Sequence, residues 1–153
     1  MMVYTLAFIQ YQDELLLVNR EKHPWQGCWN GLGGKIEQNE SKETAMIREL
    51  EEETGIIIQL NQLIYKGKMT WNTSEDYLYM FLIHQNSKIE TPIKTPEGLL
   101  DYKKIKWLLN DNLGVAHNIP YFIESLLYEE KIYDYHCTFD GNRLLSVDKK
   151  EVL

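Results

Sequence analysis

Four glutamates, Glu49, Glu51, Glu52 and Glu53, crowd the segment RELEEETG at residues 48–55. The segment reads as the end of a helix, where the backbone dipole favours cations over carboxylates. On a helix, Glu49 faces Glu52 at i+3 and Glu53 at i+4, so three carboxylates share one face. Arg48 can pair with Glu52 at i+4, but one guanidinium cannot neutralise the set. At about 4 Å, like charges repel by roughly 1 kcal/mol in water and by about 4 kcal/mol near a protein surface. Most runs of this kind are solvated acidic faces. The chemical alternative is a hard-cation site for Mg²⁺, Mn²⁺ or Ca²⁺, in which coordination replaces repulsion.

The residues upstream favour the second reading. GLGGK, residues 31–35, is a glycine turn just before the acidic helix. Its glycines let backbone approach a metal or a phosphate closely, and Lys35 adds a cation beside it. Alone, such a turn is ordinary loop chemistry.

The elements that must position these groups follow from pattern. Residues 3–10 and 14–20 read as two strands joined by a short polar turn. Residues 21–35 form an irregular loop, with a short strand beginning near Leu32. Residues 39–55 make the clearest helix, with Ser41 as N-cap and Gly55 as the closing glycine. Ala45, Met46 and Leu50 supply its apolar stripe. The β-branched run at residues 56–60 reads as the start of a strand. Residues 76–84 form a strand covered on both faces, residues 86–98 a loop, and Leu100–Lys106 a weaker strand. A second amphipathic helix spans residues 119–131, with Pro120 in its first turn. Two last strands bracket DGN at residues 140–142 as a hairpin. Helices packed on a mixed sheet, in one α/β domain over residues 1–153, are the expected architecture.

Bulk properties narrow the function. The chain has 153 residues, 44% hydrophobic and 25% charged, enough to bury a core without disulfides. Its net charge of −7 makes nucleic-acid polymers poor partners. A small anionic ligand remains compatible, because a bound cation reverses the local field. Cys28 and Cys137 form no disulfide framework or CxxC motif. No apolar run is long enough to span a membrane, and the first ten residues alternate like a strand rather than a signal peptide. The cytosol is the expected compartment.

Taken together, GKIEQNESKETAMIRELEEETGI at residues 34–56 resembles the box of the Nudix (MutT-like) hydrolases, G-x5-E-x7-R-E-U-x-E-E-x-G-U with U aliphatic. Gly34, Glu40, Arg48, Glu49, Leu50, Glu52, Glu53, Gly55 and Ile56 occupy all nine fixed positions. The resemblance implies an α/β/α sandwich around a mixed sheet, with the box forming loop–helix–loop. It implies Mg²⁺-dependent (or Mn²⁺-dependent) cleavage of a diphosphate linked to another moiety, usually a nucleoside. By position, Glu49, Glu52 and Glu53 are the implied metal ligands, with the Gly33 carbonyl as a further candidate. Arg48 and Glu40 are implied to orient them. Glu52 or Glu53 is the implied general base. Glu97 and Asp101 fall where the loop after the long strand should return to the metal; either is also compatible with an ordinary turn.

WNGLGGK, residues 29–35, resembles members acting on purine nucleoside triphosphates, including 8-oxo-dGTP. Asn30 both donates and accepts, so it can read a purine edge, or it is simply a turn asparagine. Trp29 and Trp25 could stack on a base or anchor the loop to the core. Some oxidised-purine members carry base-reading carboxylates just before the second helix. Here that stretch is AHNIP, with His117 and Asn118; Asn118 could hydrogen-bond a base but cannot share a proton as a carboxylate does, which argues against strict 8-oxo-purine specificity. His23 is a candidate phosphate contact, whereas His84 and His136 read as strand residues. The leading expectation is a nucleoside-triphosphate pyrophosphohydrolase that releases a nucleoside monophosphate and pyrophosphate. The rivals are hydrolysis of ADP-ribose, a diadenosine polyphosphate (Tyr77 and Tyr79 keep this open) or another nucleotide sugar, and a non-catalytic nucleotide sensor. The expected partner is a small nucleotide, and the chain could be a monomer or a homodimer.

Overall fold

A computed structural model describes residues 1–22, 26–110 and 114–152. Among these, ten strands form one mixed sheet: β1 (Val3–Tyr11), β2 (Glu14–Arg20), β3 (Trp29–Asn30), β4 (Leu32–Lys35), β5 (Ile64–Trp71), β6 (Ser74–His84), β7 (Ile93–Thr95), β8 (Gly98–Lys104), β9 (Tyr133–Asp140) and β10 (Arg143–Glu151). The helices are α1 (Lys42–Thr54), α2 (Ile105–Asn110) and α3 (Ile119–Tyr128). The strand order is β10-β9-β5-β6-β1-β2-β8-β7, with β3 beside β2 and β4 beside β1. The β1–β6 and β5–β9 pairs are parallel and the others antiparallel.

Strand alternation divides the core into two layers. Ala7, Ile9, Phe81 and Ile83 pack with Met46 and Leu50 of α1 on one face. Phe8, Met80 and Leu82 pack with Ile119, Phe122, Ile123 and Leu126 of α3 on the other. The result is the expected sandwich, with β6 covered on both faces. Full burial of a side chain such as Leu50 contributes about 1.5–3 kcal/mol.

The strand β1 also organises the site. Its edge away from β6 is shared: Tyr4–Ala7 pair with β4, and Ile9–Tyr11 pair with β2. The sheet therefore forks at β1, and α1 departs from the β4 branch of the fork. Its ends are those expected: the Ser41 hydroxyl accepts from the Thr44 amide at 3.0 Å, and Gly55 closes the helix at φ 76° with its amide on the Glu51 carbonyl.

Four expectations change. Residues 56–59 form no strand; Leu60–Gln62 make a single 3₁₀ turn and β5 begins at Ile64. Ile58 is still buried and Ile57 exposed, but the Gln62 side chain takes the Gln59 amide at 2.8 Å, which diverts the backbone from a ladder. The weak strand near residue 100 ends at Lys104, where α2 begins. The expected loop at 86–98 contains the short edge strand β7. Helix α3 stops at Tyr128, where the buried Lys66 ammonium donates to the Glu129 carbonyl at 2.5 Å. A cation there completes the helix end that the dipole favours.

Candidate active site

The fork at β1 sets the approach of β4 to α1. A Cβ on Gly33 would lie 1.8 Å from the Thr5 carbonyl oxygen, so any side chain would push β4 off β1. A Cβ on Gly34 would lie 2.5 Å from the Glu49 carboxyl group. Gly34 is therefore the space that the Glu49 carboxylate fills.

Arg48 organises the acidic face. Its Nε and Nη2 donate to the two oxygens of Glu40 at 2.7 and 2.9 Å, a two-pronged pairing that fixes the guanidinium plane. Nη1 donates to Glu49 at 3.0 Å and to Glu52 at 3.3 Å, and Nη2 also reaches the Lys35 carbonyl at 3.2 Å. Glu40 in turn accepts from the Glu37 amide at 3.0 Å. The hydrogen bond from Arg48 holds the Glu40 carboxyl below its usual range, and Glu40 and Glu49 raise the pKa of the guanidinium.

The glutamates divide by environment. Glu52 leaves 60% of its side chain exposed. Glu49 is largely buried, and burial raises its pKa, with Glu52 adding to the rise and Arg48 opposing it. Glu53 is pushed up to about 8, first by burial, then by the charges of Glu49 and Glu97 and by a hydrogen bond shared with Glu49; a backbone hydrogen bond from Gly33 opposes the rise. Glu51 is exposed.

Glu97 lines the same cleft as Glu49, and its charge acts on Glu53. The loop carrying it is tied down: the Glu21 amide donates to the Glu97 carbonyl at 3.1 Å, and the Glu97 amide donates to Thr95 Oγ1 at 3.2 Å. Asp101 is not brought to this cluster. It pairs with Leu17 on β8 and alternates with Leu100 and Tyr102, which pack under α1. Its carboxylate accepts from the Tyr102 amide at 2.9 Å. Strand period, not loop position, decides the direction of this side chain.

A cleft of about 920 Å³ opens from the acidic face. Glu49, Glu97, Gly33, Gly34 and Lys35 line one end; Trp71, Leu78 and Phe139 line the other; Asn30, Arg20 and His117 stand on the walls. The Asn30 Oδ1 accepts from the Gly31 amide at 2.8 Å. Trp29 is half-buried and packs against the α3-side core, as the anchoring alternative held. Asn118 is buried and its Nδ2 donates to the sulfurs of Met69 and Cys137 at 3.2 and 3.9 Å. It is turned into the core, and its neighbour His117 takes the place on the cleft wall that had been expected of Asn118. Tyr77 and Tyr79 meet edge to face with centroids 5.6 Å apart, and neither is in the cleft lining. His23 and Trp25 lie outside the described residues. Arg20, Trp71 and Phe139 carried no local signal in the sequence, being ordinary residues of strands until the sheet assembles them.

The donor set fits a hard divalent cation. All its groups are oxygens, and the crowded Glu49 and Glu53 carboxyls hold protons more tightly than usual, protons that a cation would displace. Glu49, Glu52, Glu53, Glu97 and the Gly33 carbonyl could supply ligands. Among the described residues no three acidic, histidine or cysteine side chains already close into a shell.

Comparison with known proteins agrees with this geometry. The family profile described as NUDIX domain matches residues 2–126. The oxidized purine nucleoside triphosphate hydrolase of Mus musculus is 24% identical over 153 residues, spanning 98% of this chain and 95% of that protein. The crystal structure of a mutator MutT protein from Bacillus halodurans superposes with a TM-score of 0.80 at 25% identity, covering 98% of both chains. A bifunctional NMN adenylyltransferase/ADP ribose pyrophosphatase from Francisella tularensis, complexed with AMP and a manganese ion, shares the fold at a TM-score of 0.60 and 21% identity, over 84% of this chain and 41% of that one. With the profile matching most of its length, the chain belongs to the Nudix domain family, hydrolases of pyrophosphate bonds in nucleotide-linked compounds.

Proposed function

We propose that this chain is a single Nudix hydrolase domain that converts a nucleoside triphosphate and water into a nucleoside monophosphate and pyrophosphate, with Mg²⁺ or Mn²⁺ as cofactor. The observation that carries the reading is the cleft: one continuous space joins the acidic face to an aromatic end, with polar groups on the walls between them. That arrangement suits triphosphate at one end and base at the other. The end-to-end similarity to a nucleoside triphosphate hydrolase supports the substrate class.

Each group has work to do. Glu49, Glu52 and Glu53 would hold the cation, which when bound would supply neutralisation of phosphate charge and a lowered pKa for the attacking water. Arg48 restrains Glu49 and Glu52 through one nitrogen. Glu52 or Glu53 would take the proton of the attacking water. Lys35 and Arg20 face the phosphates from the cleft wall. Trp71 and Phe139 sandwich the base, and Asn30 reads its edge. Residues 115–118, just before α3, bring His117 to the wall and contain no carboxylate, so normal and oxidised purines should both be accepted.

The test is a panel of normal and oxidised nucleoside triphosphates, ADP-ribose and dinucleoside polyphosphates, with product analysis. The reading expects the highest kcat/KM on a triphosphate. A preference for ADP-ribose or a dinucleoside polyphosphate would overturn it.

A further inference from the structure

Two polar residues of the cleft wall, Asn30 and His117, come from segments distant in the chain. Asn30 follows Trp29, and His117 follows Ala116. The two segments are joined by a backbone bridge: the Trp29 amide donates to the Gly114 carbonyl at 2.6 Å, and the Ala116 amide donates to the Trp29 carbonyl at 3.0 Å. Each cleft-facing residue is thus one step beyond this bridge, and the orientation of Trp29 sets both.

The indole of Trp29 is held in turn by a cation. Lys103, on β8, places its Nζ 4.5 Å from the Trp29 ring centroid and 5.5 Å from that of Trp107 on α2. An ammonium between two indoles is attracted to both ring faces. Lys103 alternates with Tyr102, so it projects to the α3 side while Tyr102 packs under α1. It is absent from the cleft lining.

We propose that Lys103 is a positioning residue for base selection: it clamps Trp29, and through the Trp29–Val115 bridge it fixes Asn30 and His117 relative to one another. This rests on the cleft being a nucleotide site. Loss of the ammonium frees the indole and lets the two wall residues move independently. Base discrimination then falls, while the acidic face across the cleft is untouched.

The experiment uses Lys103→Gln and Lys103→Arg in the full chain. Binding of AMP, GMP, CMP and UMP is measured by calorimetry with Mg²⁺, and KM and kcat are measured on the matching triphosphates. The wild type should show a spread of affinities among bases. Lys103→Gln should narrow that spread at least fivefold and raise KM for the preferred base about tenfold, with kcat within twofold. Lys103→Arg, which keeps a cation for the rings, should restore the spread. A Lys103→Gln protein that melts lower but keeps the wild-type base ratio refutes the proposal, as does failure of Lys103→Arg to rescue. If Lys103→Gln does not fold, Lys103→Arg and Trp107→Phe decide by the same ratio. A wild type that discriminates among monophosphates but turns over no triphosphate refutes the proposed reaction and leaves the clamp supported. A wild type with no discrimination, or no binding, refutes the clamp.

Discussion

Replacing Glu53 with Gln should stabilise the metal-free protein at high pH while disabling the enzyme. The Glu53 carboxyl titrates at about 8 in the folded chain, against 4.5 ordinarily. A carboxyl raised in this way is protonated in the folded state when the unfolded chain has already lost its proton. Its favourable contribution is complete below 4.5 and is lost as pH rises through about 8. At 1.36 kcal/mol per pH unit the ceiling is about 5 kcal/mol; partial solvent access and the hydrogen bond shared with Glu49 reduce this to about 2 kcal/mol. For a chain of this length, where 1 kcal/mol moves Tm by roughly 2–4 °C, that is about 6 °C. Glutamine keeps the shape and can donate to Glu49, but it never ionises. In EDTA, Glu53→Gln and wild type should therefore melt together at pH 5, and Glu53→Gln should melt about 6 °C higher at pH 9. Saturating Mg²⁺ should shrink or reverse the gap, because the wild type then gains ligand binding energy. The same substitution should lower kcat by several orders of magnitude. Thermal melts at the two pH values, with and without metal, check this. An equal gap at pH 5 and pH 9, or a destabilised Glu53→Gln at pH 9, would refute burial and charge repulsion as the source of the effect.

Metal affinity should depend on pH with the same group: Kd for Mg²⁺ should fall about tenfold per unit up to pH ~8 and then level off, with one proton released per ion in calorimetry below that point. Gly34→Ala places a methyl 2.5 Å from the Glu49 carboxyl and should cut kcat/KM at least tenfold with the fold retained by circular dichroism. Asn30→Ala should change the ranking among bases more than it changes kcat on any one of them, read from kcat/KM across four triphosphates.

Much of the architecture was legible in pattern. The helix Lys42–Thr54, with its Ser41 cap and Gly55 stop, was readable because each signal is local. The strand β5 was not, since its KGKMT stretch looks polar. Lys66 is buried there because its ammonium finds a helix end, and a Cβ on Gly67 would lie 1.7 Å from the Tyr133 carbonyl oxygen, an approach visible only once β9 is placed. In the site, helical spacing put Glu49, Glu52 and Glu53 on one face, but the inequality between exposed Glu52 and buried Glu53 depends on β4 and Glu97. The choice of His117 over Asn118 for the cleft wall turns on one residue of phase at a helix start, which composition cannot supply. Trp71 and Phe139 reach one cleft through the β5–β9 pairing, for which the sequence carries no register signal.

A metal-dependent pyrophosphohydrolase site at the fork of β1 is tested most directly by product stoichiometry from a nucleoside triphosphate, with Mg²⁺ and then with excess EDTA, by chromatography and pyrophosphate assay. Equimolar nucleoside monophosphate and pyrophosphate with Mg²⁺, and neither in EDTA, is the predicted result. Orthophosphate with nucleoside diphosphate, or turnover indifferent to EDTA, would contradict it.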